Sequence, residues 1–268
     1  MPMTAHIEDT AVPDHFYKYR AMNNPDAIRR VEQIVLGNEI YFASASTFND
    51  PFDLNPVFSL EASTEEQRED YLRMSRKFNQ AFTEEQHQAE ADRVMATSLS
   101  PEDLGHTASM IQGLHRQAMV QGVGTFCVSE KRSDLLMWAH YGDSHRGVCL
   151  EFDGMAALMA LAQRVMYSAT RAPINSYADD RDTMVTKALL CKSEHWAYEA
   201  EWRLLRTDKG PGVEQFRPRN LTGVVIGALA SSETIKVVKD WAAKRLTPLV
   251  LYRAKTSNTE FELLVEPM

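Results

Sequence analysis

No run of about 18 apolar residues occurs in the sequence, so no segment is suited to cross a membrane as a helix. Cysteine is scarce. Cys127, Cys149 and Cys191 are an odd number without framework spacing, which argues against a disulfide-stapled secreted scaffold and for a reduced, cytoplasmic protein. The first residues, MPMTAHIEDTAVPDHF, lack the basic and apolar regions of a secretory leader. Positive charge is in deficit: 29 Lys and Arg stand against 37 Asp and Glu, a net charge of −8. A surface of that sign disfavours anionic membranes and non-specific nucleic-acid binding. A nucleic-acid partner would need a local patch, for which Lys187, Lys192, Arg203 and Arg206 are the candidates.

Motifs are missing as well. There is no GxxxxGK[ST] or GxGxxG to cradle phosphate and no GxSxG elbow, which sets aside the common nucleotide and serine hydrolases. Neither HExxH nor a paired CxxC is present. His140, His145 and Cys149, or Cys191 with His195, come nearest to a ligand set, but both residue types are common in cores, and no metal is expected.

What is present is ordinary globular material: 268 residues, 44% hydrophobic, enough to bury a core. HFYKYR (15–20) reads as a strand. Asn24-Pro25-Asp26 opens a helix with buried Ile28, Val31 and Val35, closed at Gly37. EIYFAS (39–44) is the next strand, and FNDPFDLNP (48–56), with two Asx-Pro steps, is a built loop. Residues 63–121 read as two or three acidic helices broken near 98–101, inserted between strands. Their stripe Tyr71, Met74 and Phe78 is expected to pack on the parent domain.

GTFCVSE (124–130) and GVCLEFD (147–153) are strands flanking a capped helix in SDLLMWAHYGD (133–143). A short helix over 155–164 leads to VMYSA (165–169), and a longer one is expected over 177–195. Strands WRLLRT, LTGVVIGA (221–228), TPLVLYRA (247–254) and FELLVEP (261–267), with a capped helix over 231–245, complete the chain. The expectation is a single α+β domain over 1–268 with a mixed, mostly antiparallel sheet and 63–121 as a helical insertion.

Two clusters carry chemistry. MWAHYGDSHRGVCLEF (137–152) places Trp138, His140 and Tyr141 on a short helix before a polar turn, either as an anchor to the core or as the wall of a pocket for a flat ring. WAYEAEWRLL (196–205) sets Glu199 and Glu201 two positions apart, which on an extended strand aims both carboxylates to one side. Salt bridges to Arg203 and a lysine such as Lys192 would explain them blandly. Alternatively, a fixed carboxylate stabilises an oxocarbenium-like transition state while its neighbour orients or activates an acceptor.

Four stretches, FYKYR, FNDPFD, MWAHYGDSHRGVCLEF and KSEHWAYEAEWRLL, resemble the signature of a large bacterial family known as a domain of unknown function. Their order is also similar to that of ADP-ribosyltransferase folds, nearest in plan to the DNA-modifying toxin branch. The resemblance implies an ADP-ribosyltransferase-type sheet and NAD as substrate, in a toxin or phage-defence effector. It makes Glu201 the catalytic carboxylate and Glu199 its companion. Lys18, Tyr19 or Arg20 would be the first-strand anchor for the nucleotide, though the family's usual histidine is absent there. Trp138 or Tyr141 would stack on nicotinamide, with His140 beside them. The acceptor is open between protein, nucleic acid and water. The same fold without turnover would be a nucleotide-binding module, and the acidic helices could instead dock a protein partner.

Overall fold

The computed structural model describes residues 11–96, 101–175 and 177–268, so the expected helix break at 98–101 falls largely outside them. The fold is α+β with a mixed, mostly antiparallel sheet. The chain divides into two compact units.

The first unit comprises the described residues of 1–44, 122–165 and 194–268. Its ten-stranded sheet pairs His15–Arg20 with Val148–Asp153, which continues through Leu221–Ile226 and Val250–Thr256 to Leu263–Pro267. Leu221–Ile226 and Val250–Thr256 run parallel. Parallel neighbours need a crossover, and the helix Ser232–Lys244, capped by Ser231, supplies it.

Alternation divides the sheet's two faces. Phe16, Phe152 and Trp202 join a large core with Val31, Ile34 and Val35 of the helix Pro25–Val35 and with Val238 and Trp241 of the crossover helix. Tyr17, Tyr19 and Cys149 face the other way and pack with Met137 and Trp138 of the helix Leu135–His140. Asp134 caps that helix by accepting from the amides of Leu136 and Met137.

Beyond it, Asp143, Ser144 and His145 all take left-handed backbone, φ +53°, +49° and +67°. Such residues persist only where surroundings hold them. Here the His145 amide donates to Trp138 at 3.1 Å and its carbonyl accepts from Leu229 at 2.9 Å. A side chain at Gly227 would stand 2.3 Å from that same carbonyl, which is why this close approach needs glycine.

The strand Gly124–Ser129 forks the sheet. Glu201–Arg206 runs along the whole of one edge. On the other, Ser129 pairs with Tyr17, whereas Thr125 and Gly124 pair with Ala43 and Ser44 of the strand Glu39–Ser44. Among the described residues, no strand pairs with 126–128 on that edge.

The second unit comprises the described residues of 45–121 and 166–193. Helices Thr64–Phe78 and Glu84–Met95 form a hairpin, each opened by a capping box, from Ser63 with Glu66 and from Thr83 with Gln86. Leu72, Ser75, His87 and Ala91 are buried, and Ser75 Oγ lies 2.8 Å from His87 Nδ1. The expected stripe is not the buried side: Met74 and Phe78 are exposed. The longer helix expected over 177–195 stops early. Arg181–Val185 passes into a π-turn at Thr186–Leu190, and Cys191–Ser193 is a strand parallel to Met166–Ser168. The helix expected over 155–164 is only the turn Met159–Leu161, followed by the short strand Gln163–Arg164 in the first unit.

Candidate functional site

The two chemical clusters meet in the first unit. Tyr141, at the end of the Leu135–His140 helix, donates its hydroxyl to Glu199 Oε1 at 2.6 Å. His140 Nδ1 lies 2.8 Å from the Tyr198 hydroxyl, and Lys131 Nζ donates to the Tyr198 carbonyl at 3.1 Å. Nothing in the sequence pattern singles out Tyr198, which enters the site only through the local turn.

That reading fails locally. Glu194–Glu199 is a 3-10 turn, and Ala200 is left-handed at φ +43° before the strand begins at Glu201. The glutamates are therefore not placed on one side by strand alternation. Ser129 Oγ fixes the kink by donating to the Glu199 carbonyl at 2.5 Å, and the Ala200 carbonyl accepts from the Glu130 amide at 3.2 Å.

Glu199 and Glu201 are both buried. Arg203, fully enclosed, donates from Nε to Glu201 Oε1 at 2.8 Å and from Nη2 to Oε2 at 3.1 Å. This two-pronged hold is the strongest geometry a carboxylate can receive from a side chain. The expected basic patch thus loses two members, since Arg203 and Lys192 are buried.

Register places a row of polar groups across the sheet. Glu201 stands opposite Ser129, Ser129 opposite Tyr17, and Tyr17 opposite Glu151. Directly opposed residues share a face, so these four line one side. Glu151, read only as a strand position, is buried and accepts from Thr222 Oγ1 at 3.0 Å. Burial, then the charge of Glu151, pushes the Tyr17 phenol up to about 12.

The first-strand candidates divide by face. Tyr19 is buried, donates to the Lys131 carbonyl at 2.7 Å and meets Trp138 edge-on with ring centres 5.1 Å apart. Trp138 is 0% exposed and donates its indole N–H to the Arg132 carbonyl at 3.0 Å. Both belong to the core, so neither presents a ring face to a ligand, and Tyr141 is the stacking candidate that remains. Lys18 fills the fork. Its ammonium donates to the Cys127 carbonyl at 2.5 Å, where no strand lies opposite, and sits 5.0 Å from the Phe126 ring centre. Burial, reinforced by the Arg20 guanidinium, lowers its pKa to about 8. Arg20 is lowered to about 10, chiefly by burial, and its buried Nε has no hydrogen-bond partner.

Among the described residues no group of three or more His, Cys, Asp or Glu is arranged to hold a metal ion, and no helix is long and apolar enough to cross a membrane. The three cysteines are free thiols. No protein-family model, curated protein or solved structure matches the chain.

Proposed function

We propose that the first unit is an ADP-ribosyltransferase-type domain that cleaves the nicotinamide–ribose bond of NAD. ADP-ribose would pass to a macromolecular acceptor or to water, the latter making the protein an NAD glycohydrolase. The observation that carries the reading is the Tyr141–Glu199 contact, which joins a half-buried aromatic ring to a buried carboxylate from the other cluster. A flat ring could stack on the tyrosine while positive charge develops on a ribose beside the carboxylate.

The geometry favours a division of roles within the pair. Glu201 already faces a guanidinium, so its charge is largely balanced, and it serves best as a rigid support. Glu199 accepts from the hydroxyl of Tyr141, the ring on which nicotinamide would stack, and by that position is the better candidate to face the oxocarbenium. Lys18 is occupied in the fork, and both Lys18 and Arg20 alternate with Tyr17 and Tyr19 towards the Phe16 side of the strand, so neither stands beside Glu199 as the anchor for ribose or pyrophosphate. A role as a toxin or phage-defence effector is what the sequence resemblance suggests for such an activity.

The test is nicotinamide release from NAD by the purified chain, with candidate protein and nucleic-acid acceptors supplied. Glu199→Gln is expected to lower the rate on the order of 10²–10³-fold, the scale of losing one preorganised electrostatic contact. Release that survives Glu199→Gln and is lost in a folded Glu201→Gln would return the catalytic role to Glu201. The Arg203 clamp favours a second reading, a nucleotide-binding module without turnover. Nucleotide binding without any release would select it.

A further inference from the structure

The polar turn after the Leu135–His140 helix carries His145, which the proposed NAD chemistry does not use. Its imidazole lines a cleft of about 530 Å³ in the first unit, within the roughly 300–1,000 Å³ of small-molecule sites. Leu135, Ala228, Leu229 and Leu263 supply apolar wall, and the hairpin loop 256–262 supplies the rest.

His145 is held rigidly. Its left-handed backbone is fixed by Trp138 and Leu229, and Asn23 Nδ2 pins the start of the turn by donating to Asp143 Oδ1 at 3.2 Å. The imidazole lies nearly parallel to the Trp138 indole, with ring centres 6.5 Å and planes 14° apart. Its Nδ1 is enclosed without a hydrogen-bond partner, so the edge that carries Nε2 is the one left to a ligand. Strained backbone and an unpaired buried nitrogen both cost stability, and such features cluster at ligand sites. Burial, then the charge of Arg146, lowers the His145 pKa below its ordinary 6.5, which keeps the ring neutral at pH 7.

The loop is braced as well. Ser257 Oγ accepts from the amides of Thr259 and Glu260 at 3.3 Å and 3.1 Å, and the Ser257 amide donates to the Glu262 carbonyl at 3.1 Å. That brace leaves Phe261 fully exposed, flanked in sequence by the exposed Glu260 and Glu262. With Leu135 and Leu229 also exposed, the ring completes an apolar rim of the kind that marks a binding groove. Among the described residues, no lysine or arginine lines the cleft. Lys255, at the base of the hairpin, is taken by Glu266 at 2.5 Å. The charges of the lining are therefore negative, and a cleft of one sign concentrates ligands of the other. An aromatic face beside carboxylates favours a cation further.

We propose that this cleft binds a small amphipathic amine, an apolar ring carrying an ammonium group, with the ring against Leu229, Phe261 and the His145 imidazole and the ammonium towards Glu260 and Glu262. The site shares no residue with the Tyr141–Glu199 contact and stands whether or not NAD is cleaved there.

The test is calorimetric titration of the full chain with tryptamine, indole and indole-3-acetate. Tryptamine should bind. Indole-3-acetate has nearly its shape with a carboxylate in place of the amine, and should bind at least about tenfold more weakly through like-charge repulsion. Indole, without charge, should also bind more weakly than tryptamine. Phe261→Ala removes a fully exposed ring, leaves the fold intact and should weaken tryptamine about five- to tenfold. Glu260→Gln combined with Glu262→Gln should weaken it about three- to tenfold and flatten its salt dependence. His145→Asn, which keeps a side chain tolerant of left-handed backbone, should weaken it about tenfold, and the Phe261 and glutamate variants decide the matter if it does not fold. Glu199→Gln should bind as the unaltered chain does. Indole or indole-3-acetate binding as tightly as tryptamine, no tryptamine binding at millimolar concentration, or tryptamine binding indifferent to the Phe261 and glutamate variants would overturn the proposal.

Discussion

Each unit encloses a buried ion pair, and the two are built differently. In the first, a planar guanidinium grips Glu201 at 2.8 Å and 3.1 Å, two residues along the same strand. In the second, a flexible ammonium from Lys192 stands 3.6 Å from Asp53, beyond hydrogen-bond length, at the lining of a cavity. The arginine fork commits its carboxylate to one geometry, whereas a lysine is a point charge whose donors can turn. A fully enclosed fork suits a support that must not move.

The sharpest way to break the comparison is Arg203→Met. It would leave Glu201 buried against an apolar chain and should cost roughly 3–5 kcal/mol, read from urea unfolding. A loss below about 1 kcal/mol, the ordinary worth of an exposed pair, would show that water reaches Glu201 and that the clamp is not structural. Lys192→Met also strips a buried carboxylate of a cation, and should cost less than Arg203→Met because its 3.6 Å approach to Asp53 lies beyond hydrogen-bond length where the guanidinium makes two bonds. Equal losses in the two variants would erase the distinction.

Lys18→Met tests a third buried cation, this one on a backbone carbonyl. Leaving the Cys127 carbonyl unsatisfied should cost about 1–3 kcal/mol. The effect carries a pH signature. The folded pKa of Lys18 lies near 8, below the 10.5 of a free lysine, so between those values the unfolded chain holds more of this proton. Its contribution to stability therefore rises with pH across that window, and the deficit of the variant should grow from pH 8 towards 10.5. A deficit flat with pH would mean the ammonium is solvated. Smallest of all, Phe52→Ala should change stability by no more than about 0.5 kcal/mol, because the ring is largely exposed. A larger loss would make Phe52 a structural plug, a role at odds with that exposure.

Much of the secondary structure follows from local rules. Asn24 before Pro25, Asp134 before Leu135 and Ser231 before Ser232 begin helices as their side chains dictate, by accepting hydrogen bonds from the first free amides. The alternation in HFYKYR and GVCLEFD gives strands, because a pleated chain needs opposite chemistry on its two sides. The built FNDPFD loop was legible too, from proline and Asx chemistry.

The candidate site was legible only as residues. Strand periodicity in WAYEAEW is overridden where Ser129, from another strand, takes the Glu199 carbonyl and Ala200 turns left-handed. Which aromatic reaches a carboxylate depends on helix rotation against the sheet, which buries Trp138 and leaves Tyr141 to meet Glu199. Lys18 looked like an anchor for a ligand and is a plug, because two strands diverge from one edge and leave a carbonyl to be satisfied. By itself the sequence determined what is settled within a few residues: caps, turns, alternation, and the supply of carboxylates and aromatic rings. Only the tertiary structure decided which of those groups are committed to one another, because burial and pairing are set by partners tens of residues away.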